Sequence, residues 1–293
     1  MSSHAVALPI QHVLGVDFTS APTAKKPITV ARGSVQGTRV SLSRVDALPS
    51  FAAFEALLRE PGPWVGAFDL PFGLPRELVT GLGWPTEWAA CMQHYAALSR
   101  EQVRDTFAAF CDARPAGSKF AHRACDGQSG ASSSMKWVNP PVAYMLHAGV
   151  PLLRAAGVKF PAHGSSHDPV HLGASAHSVA ESTAKRVALE AYPGLLAREL
   201  IGRRSYKSDD RAKQTPDRLI ARKDIVEALE QGRTRLGLRL KLSAAQRDNL
   251  ADDASGDALD AVLCLLQAGW AQRTPGWGLP PGLDPLEGWI ISA

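Results

Sequence analysis

Cysteine is scarce in this chain of 293 residues: there are four, Cys91, Cys111, Cys125 and Cys264, and no two form a C-x-x-C pair. That spacing excludes a zinc site built from thiolates and points to reduced thiols without disulfides, the usage of a cytoplasmic protein. No run approaches the roughly 20 apolar residues that span a bilayer. The opening MSSHAVALPIQHV lacks the charged region, long apolar stretch and small-residue cleavage site of a secretory signal. A cytoplasmic location with no membrane partner is therefore expected. Two catalytic signatures are also absent. Without G-x-x-x-x-G-K-[ST] there is no usual nucleoside triphosphate cradle, and without G-x-S-x-G there is no serine-hydrolase elbow, since GQSGA at Gly127 lacks the final glycine. Charge of one sign does not dominate: 32 Lys and Arg against 28 Asp and Glu leave a formal +4. This mild basic balance permits a polyanionic partner without requiring one.

What is present reads as one soluble globular domain over 1–293, with 45% hydrophobic and 20% charged residues. Residues 12–18 (HVLGVDF) form a short apolar run closed by Thr19, Ser20 and Pro22, the pattern of a buried strand. Two β-branched stretches follow at 27–31 and 38–45, separated by Gly33 and Gly37. Ser50 offers a helix cap before Phe51, Phe54, Leu57 and Leu58, and Pro61-Gly62-Pro63 ends that helix. Residues 64–70 (WVGAFDL) repeat the strand pattern, giving βββαβ. From about 84 to 180 the chain is mainly helix and loop and is expected to be an insertion. Its core positions are Trp88, Met92, Tyr95, Val103, Phe107 and Phe110, a further helix lies near 142–156, and Gly- or Ser-rich loops fall at 127–134 and 163–177. A strand is expected at 185–192, then helices near 216–230, 244–251 and 255–270.

Acids recur where open α/β sheets collect polar groups, at the carboxyl ends of strands. Asp17, Asp69 and Glu190 all stand there. A carboxylate ending a buried strand needs a cation or donors to offset its desolvation; turn capping or a salt bridge is the ordinary alternative for any one of them. On the last long helix Leu259, Val262, Leu263 and Leu266 make an apolar stripe. Asp257 and Asp260 share an adjacent face, with Asp253 one turn earlier. Like charges so spaced destabilise a helix by roughly a few tenths of a kcal/mol, and a divalent ion reverses that sign; a solvated acidic face is the alternative. Clustered carboxylates would also have raised pKa values until an ion binds.

Cations follow Glu190: Arg203, Arg204, Lys207, Arg211, Lys213, Arg218, Arg222 and Lys223, with Tyr206 available to stack on a base. Asp209, Asp210, Asp217 and Asp224 dilute them, so small phosphorylated substrates stay open beside nucleic acid. His163, His167, His171 and His177 suggest zinc, but Gly164, Pro169 and Gly173 break any helix that would align them, which favours a plain loop.

Five segments carry a resemblance: GVDFTSAP at 15–22, GAFDLPFGLP at 66–75, EAYP at 190–193, GDALDAVLCLL at 256–266 and EGWI at 287–290. Together they resemble domain-of-unknown-function family 429, described as predicted nucleases with a ribonuclease H-like fold. The resemblance implies an α/β, ribonuclease H-like core, a βββαβαβα mixed sheet flanked by helices. It also implies acids on the first strand, at the end of the fourth and on the last helix. Carried onto this sequence, those are Asp17, Asp69, Asp257 and Asp260 as metal ligands. Glu190 is a further catalytic candidate or else a turn residue that positions its strand, and Glu287 is a weaker one. The implied activity is hydrolysis of nucleic acid phosphodiesters with two Mg2+ or Mn2+ ions about 3.5 to 4 Å apart, Asp17 bridging them. Arg203, Arg204, Tyr206, Lys207 and Arg211 would contact the substrate. Two other functions are kept: a phosphotransferase or ATPase-like enzyme of the same superfamily, and a non-catalytic scaffold binding nucleic acid or protein.

Overall fold

A computed structural model describes residues 11–164 and 186–293. Their strands form one sheet in the order β5-β4-β1-β2-β3-β6. Three antiparallel strands come first: β1 (Gln11–Asp17), β2 (Ile28–Gln36) and β3 (Arg39–Leu48). Gly33 does not end a strand, as its turn-forming character suggests, but lies inside β2 at a register shift. Helix α1 (Phe51–Leu58) starts where expected, with the Ser50 hydroxyl accepting from Ala53 N at 3.2 Å. Strand β4 (Trp64–Asp69) returns parallel to β1, and β5 (Arg186–Glu190) lies parallel to β4.

Between β4 and β5 come α2 (Arg76–Gly81), α3 (Trp88–Ala97), α4 (Arg100–Asp112), α5 (Ala124–Ser129) and α6 (Val142–Ala155). After β5 follow α7 (Pro193–Ile201), α8 (Pro216–Gln231), β6 (Arg239–Lys241, parallel to β3), α9 (Ala244–Asp252) and α10 (Asp257–Arg273). The sheet is thus a mixed one flanked by helices, an α/β fold. Among the described residues no helix is long and apolar enough to cross a membrane, and all four cysteines are buried and free.

Strand alternation assigns each face its own core. Val13, Ala31, Val65, Ala67, Val187 and Leu189 point to the side covered by α7, α8 and α10. Leu14, Val16, Ile28, Val30, Phe68 and Ala188 point to the side covered by α1, α3, α4 and α6, the helices of the stretch expected as an insertion supplying most of that layer. With both faces covered, β1 and β4 read as continuous apolar runs. Phe110 is only partly buried, unlike the other expected core positions of α3 and α4.

The Ser-rich stretch expected as a loop at 127–134 is partly helical and buried. Ser129 Oγ donates to Cys125 O at 2.8 Å and Ser133 Oγ to Ala121 O at 2.5 Å, so these two hydroxyls are satisfied locally, whereas the buried Ser134 hydroxyl has no partner among the described residues. His163 is buried as well. Its Nδ1 donates to Pro285 O at 2.8 Å, its ring stacks on Trp88 at 4.4 Å, and burial drives its pKa down to about 3. His167, His171 and His177 lie outside the described residues.

Candidate metal centre

Asp17 and Asp69 face each other in the β1–β4 register. By alternation with Val13 and Gly15, and with Val65 and Ala67, both carboxylates lie on the face that α10 covers. Gly15 sets how closely that helix approaches: a Cβ there would meet Ala261 O at 2.0 Å and Leu265 N at 2.1 Å. Only glycine lets α10 lie this low on β1. The close approach brings Asp260, in the helix's first turn, beside the strand ends. Carboxylate oxygens of Asp17, Asp69 and Asp260 all fall within 4.8 Å of one another.

Asp260 is fully buried, while Asp17 and Asp69 are half-buried. Tyr206 Oη donates to Asp260 Oδ1 at 2.5 Å, and Lys207 Nζ donates to Oδ2. This one lysine must serve three acids. Burial first, then the charges of Asp260, Asp69 and Asp257, push Asp17 well above the ordinary carboxylate range, against the pull of Lys207. Burial and the Asp260 charge push Asp69 up to about 7. Burial also raises Asp260, with Lys207 and Tyr206 opposing. Lys207 itself, although burial disfavours its charge, is held above the usual lysine range by Asp260, Asp17 and Asp69. The site is short of positive charge.

The trio fits a hard cation. Its donors are all carboxylate oxygens, and two oxygens on one Mg2+ at about 2.1 Å stand about 3.0 Å apart when cis and about 4.2 Å when trans. A separation ceiling of 4.8 Å requires only a small inward adjustment. The trio can therefore hold a metal ion.

Asp257 lies beside the trio rather than in it: both its oxygens accept from Lys26 Nζ, at 2.9 and 3.0 Å, and Lys26 also reaches Asp209 at 2.9 Å. Asp253 is not on the helix face one turn earlier. Gly256, at φ +77, breaks the chain direction between α9 and α10. Asp253 instead caps α10, accepting from Ser255 N at 3.1 Å and Ala258 N at 2.9 Å.

Glu190 does end a strand, but on the other face. Val187 and Leu189 look toward α10, so Ala188 and Glu190 look away. There Glu190 accepts from Arg123 twice, at 2.8 and 2.6 Å, and from Phe72 N at 2.9 Å. Burial raises its pKa while Arg123 opposes. Arg123 also holds Asp126 at 2.9 Å. Glu287 takes the starts of two helices, accepting from Arg76 N at 2.8 Å and Ala124 N at 3.0 Å.

Of the expected substrate contacts, Arg203 and Arg211 are exposed, and Arg204 is exposed but pairs with Asp224 at 2.7 Å. Tyr206 is buried with its hydroxyl on Asp260, so it braces an acid rather than offering a face to a base. Arg222 is buried too, donating to Ala251 O at 2.6 Å and Tyr206 O at 2.8 Å, and is no member of an exposed basic path. Two cavities adjoin the acids. One of about 230 Å³ is lined by Asp69, Tyr192, Arg198, Arg204 and Lys207 among others. The other, of about 600 Å³, is lined by Lys25, Lys26, Asp46, Asp209, Asp253 and Asp257 among others. Lys26, Arg123 and Arg198 carried no sequence signal, because the contacts that place them, Lys26 on Asp257, Arg123 on Glu190 and Arg198 on Ser129 O, join residues far apart in the chain.

A family model described as protein of unknown function (DUF429) matches residues 15–276. No curated protein and no solved structure matches the chain.

Proposed function

The chain belongs to the DUF429 family, and on that premise we propose that it is a divalent-metal-dependent phosphodiester hydrolase of nucleic acid, built on a ribonuclease H-like core. The observation that carries this reading is the meeting of Asp17, Asp69 and Asp260 within 4.8 Å. Two adjacent strand ends and the first turn of the helix crossing them supply these acids, which lie far apart in sequence. The sheet order, with β2 and β3 antiparallel on one side of β1 and β4 and β5 parallel on the other, supports the proposed fold.

Asp17, Asp69 and Asp260 would hold Mg2+ or Mn2+, with Asp257 near enough to raise Asp17 and to serve a second ion if Lys26 yields. Asp17, which feels the charge of all three other acids, is the bridging candidate. A bound ion of this kind activates water and stabilises the leaving oxygen of a phosphodiester. The protein's own groups orient the donors: Tyr206 fixes one oxygen of Asp260 and Lys207 the other. Arg198 and Arg204 line the 230 Å³ cavity with Asp69, Arg204 keeping Asp224 as its partner.

The test is a panel of labelled single-stranded, duplex, hybrid and branched nucleic acids with Mg2+ or Mn2+. Cleavage of at least one member is expected. It should be lost on chelation and fall by at least about 10³-fold in Asp17→Asn and Asp260→Asn, the scale expected when the group that positions the reaction is removed. Undiminished cleavage by both variants would refute the assignment.

A further inference from the structure

The segment after α7 is fastened to the start of α10. Ser208 N donates to Ala254 O at 3.0 Å, Arg222 grips Tyr206 O at 2.8 Å, and Tyr206 and Lys207 take one oxygen each of Asp260. The stem of Lys207 runs over Gly256, where a Cβ would lie 2.6 Å from the lysine's own Cβ and 3.1 Å from its Cδ. Gly256 also adopts φ +77, which L side chains rarely accept. A glycine is thus required there twice over, and the result is a lysine delivered into the carboxylate trio. It is not a surface lysine that happens to reach an acid.

The lysine nevertheless keeps a way out. Its side chain is 42% exposed, and it also lines the 230 Å³ cavity with Asp69, Arg198 and Arg204. Both oxygens of Asp260 are already taken, one by a neutral hydroxyl and one by an ammonium. A divalent ion drawn to the trio competes with the ammonium and not with the hydroxyl. Two cations on one carboxylate, only a few ångströms apart in a poorly solvated site, repel strongly.

We propose that Lys207 is the resident counter-cation of the trio, and that a divalent ion displaces it into the adjoining cavity, where it joins Arg198 and Arg204 to bind a phosphate of the substrate. This rests on the metal-centre reading above and deepens it. The exchange couples two bindings: the protein presents its third cation to a phosphate only after the metal has arrived. It also selects the side from which a polyanion enters. The second cavity, lined by Asp209, Asp253 and Asp257, is the less favourable for it, because Lys26 there is already held by Asp209 and Asp257.

The experiment uses the full chain stripped of metal, comparing wild type with Lys207→Met, Lys207→Gln and Lys207→Arg. In a calorimetric titration with Mn2+ alone, the two neutral variants are expected to bind at least about tenfold tighter than wild type, a difference of about 1.4 kcal/mol, and the arginine variant close to wild type. Neutral variants should melt roughly 2–4 °C lower in chelator, and saturating Mn2+ should abolish that deficit. Inorganic phosphate should bind the Mn2+-loaded wild type more tightly than the Mn2+-loaded neutral variants, with no difference between the metal-free forms. Mn2+ affinity in the neutral variants equal to or below wild type overturns the proposal, because a merely structural lysine would weaken the site when removed. Absence of Mn2+ binding in every form, with the lower melting retained, overturns the metal centre itself and leaves Lys207 a structural counter-ion.

Discussion

Two groups of acids, each with a fully buried member, flank the same stretch of sheet and are treated in opposite ways. On one face, Glu190 and Asp126 meet a buried guanidinium from Arg123, and Glu190 takes the Phe72 N–H as well. On the other, Asp17, Asp69 and Asp260 share one ammonium, that of Lys207. Burial alone therefore does not distinguish an acid that the chain satisfies from one that it leaves short of compensating charge. The ratio of carboxylates to the donors that compensate them does: the first group is satisfied by the chain, whereas the second stays deficient in positive charge and has room for an ion.

Breaking the satisfied group should have the largest effect on stability. Arg123→Met leaves Glu190 and Asp126 buried without their cation and should lower the unfolding free energy by about 3–5 kcal/mol in a urea titration. A loss below about 1 kcal/mol would erase the contrast between the two faces. The opposite sign is expected across the sheet: Asp17→Asn, relieving like-charge crowding, should stabilise the metal-free protein at pH 8 by about 1–3 kcal/mol.

A pH dependence follows from the same deficit. The pKa of Asp69 is raised from its ordinary value to about 7. The folded state then binds a proton that the unfolded state has released, so stability is fully present below about pH 4 as far as this group is concerned and is lost as pH rises through about 7. Metal-free protein should melt lower at pH 8 than at pH 6. Saturating Mg2+ should flatten that slope, since the ion stabilises the charged carboxylates, and scanning fluorimetry at the two pH values reads both effects. Buried His163, its pKa lowered to about 3, contributes the opposite slope, so the comparison is made with Asp69→Asn, which keeps that histidine; equal pH 6 to pH 8 slopes in the two metal-free proteins would contradict the assignment. The smallest effect is expected from Gly256→Ala, which combines a left-handed backbone with the stem of Lys207 and should cost about 1–2 kcal/mol in the same urea titration.

Much of this is legible in the sequence, and the failures have physical reasons. The apolar runs ending in Asp17 and Asp69, the Ser50 cap and the acidic start of α10 are local patterns, and each locates its element. Asp17 and Asp69 meet because parallel neighbours place equivalent strand ends side by side. Parity separates Glu190 from them, since it follows Leu189 as Phe68 follows Ala67 and so shares the face of Phe68. Asp253 and Asp257 do not share the continuous helix face that their spacing suggests, because Gly256 acts as a left-handed cap between them. Strand β6 is three residues long with only Leu240 buried, too short to leave a periodic signal. Tyr206 and Arg222 look like surface groups in a polar segment, and nothing local shows that Asp260 and Ala251 O bury them. The lysine on the trio is of the same kind, a contact set by tertiary packing.

The central claim is that the trio is a cation site and the Glu190 cluster is not. Anomalous diffraction from a crystal equilibrated with Mn2+ tests this most directly. The account predicts a peak bonded to oxygens of Asp17, Asp69 and Asp260, and none at Glu190. A trio without a peak at saturating Mn2+, or a peak on the Glu190 side instead, would contradict it.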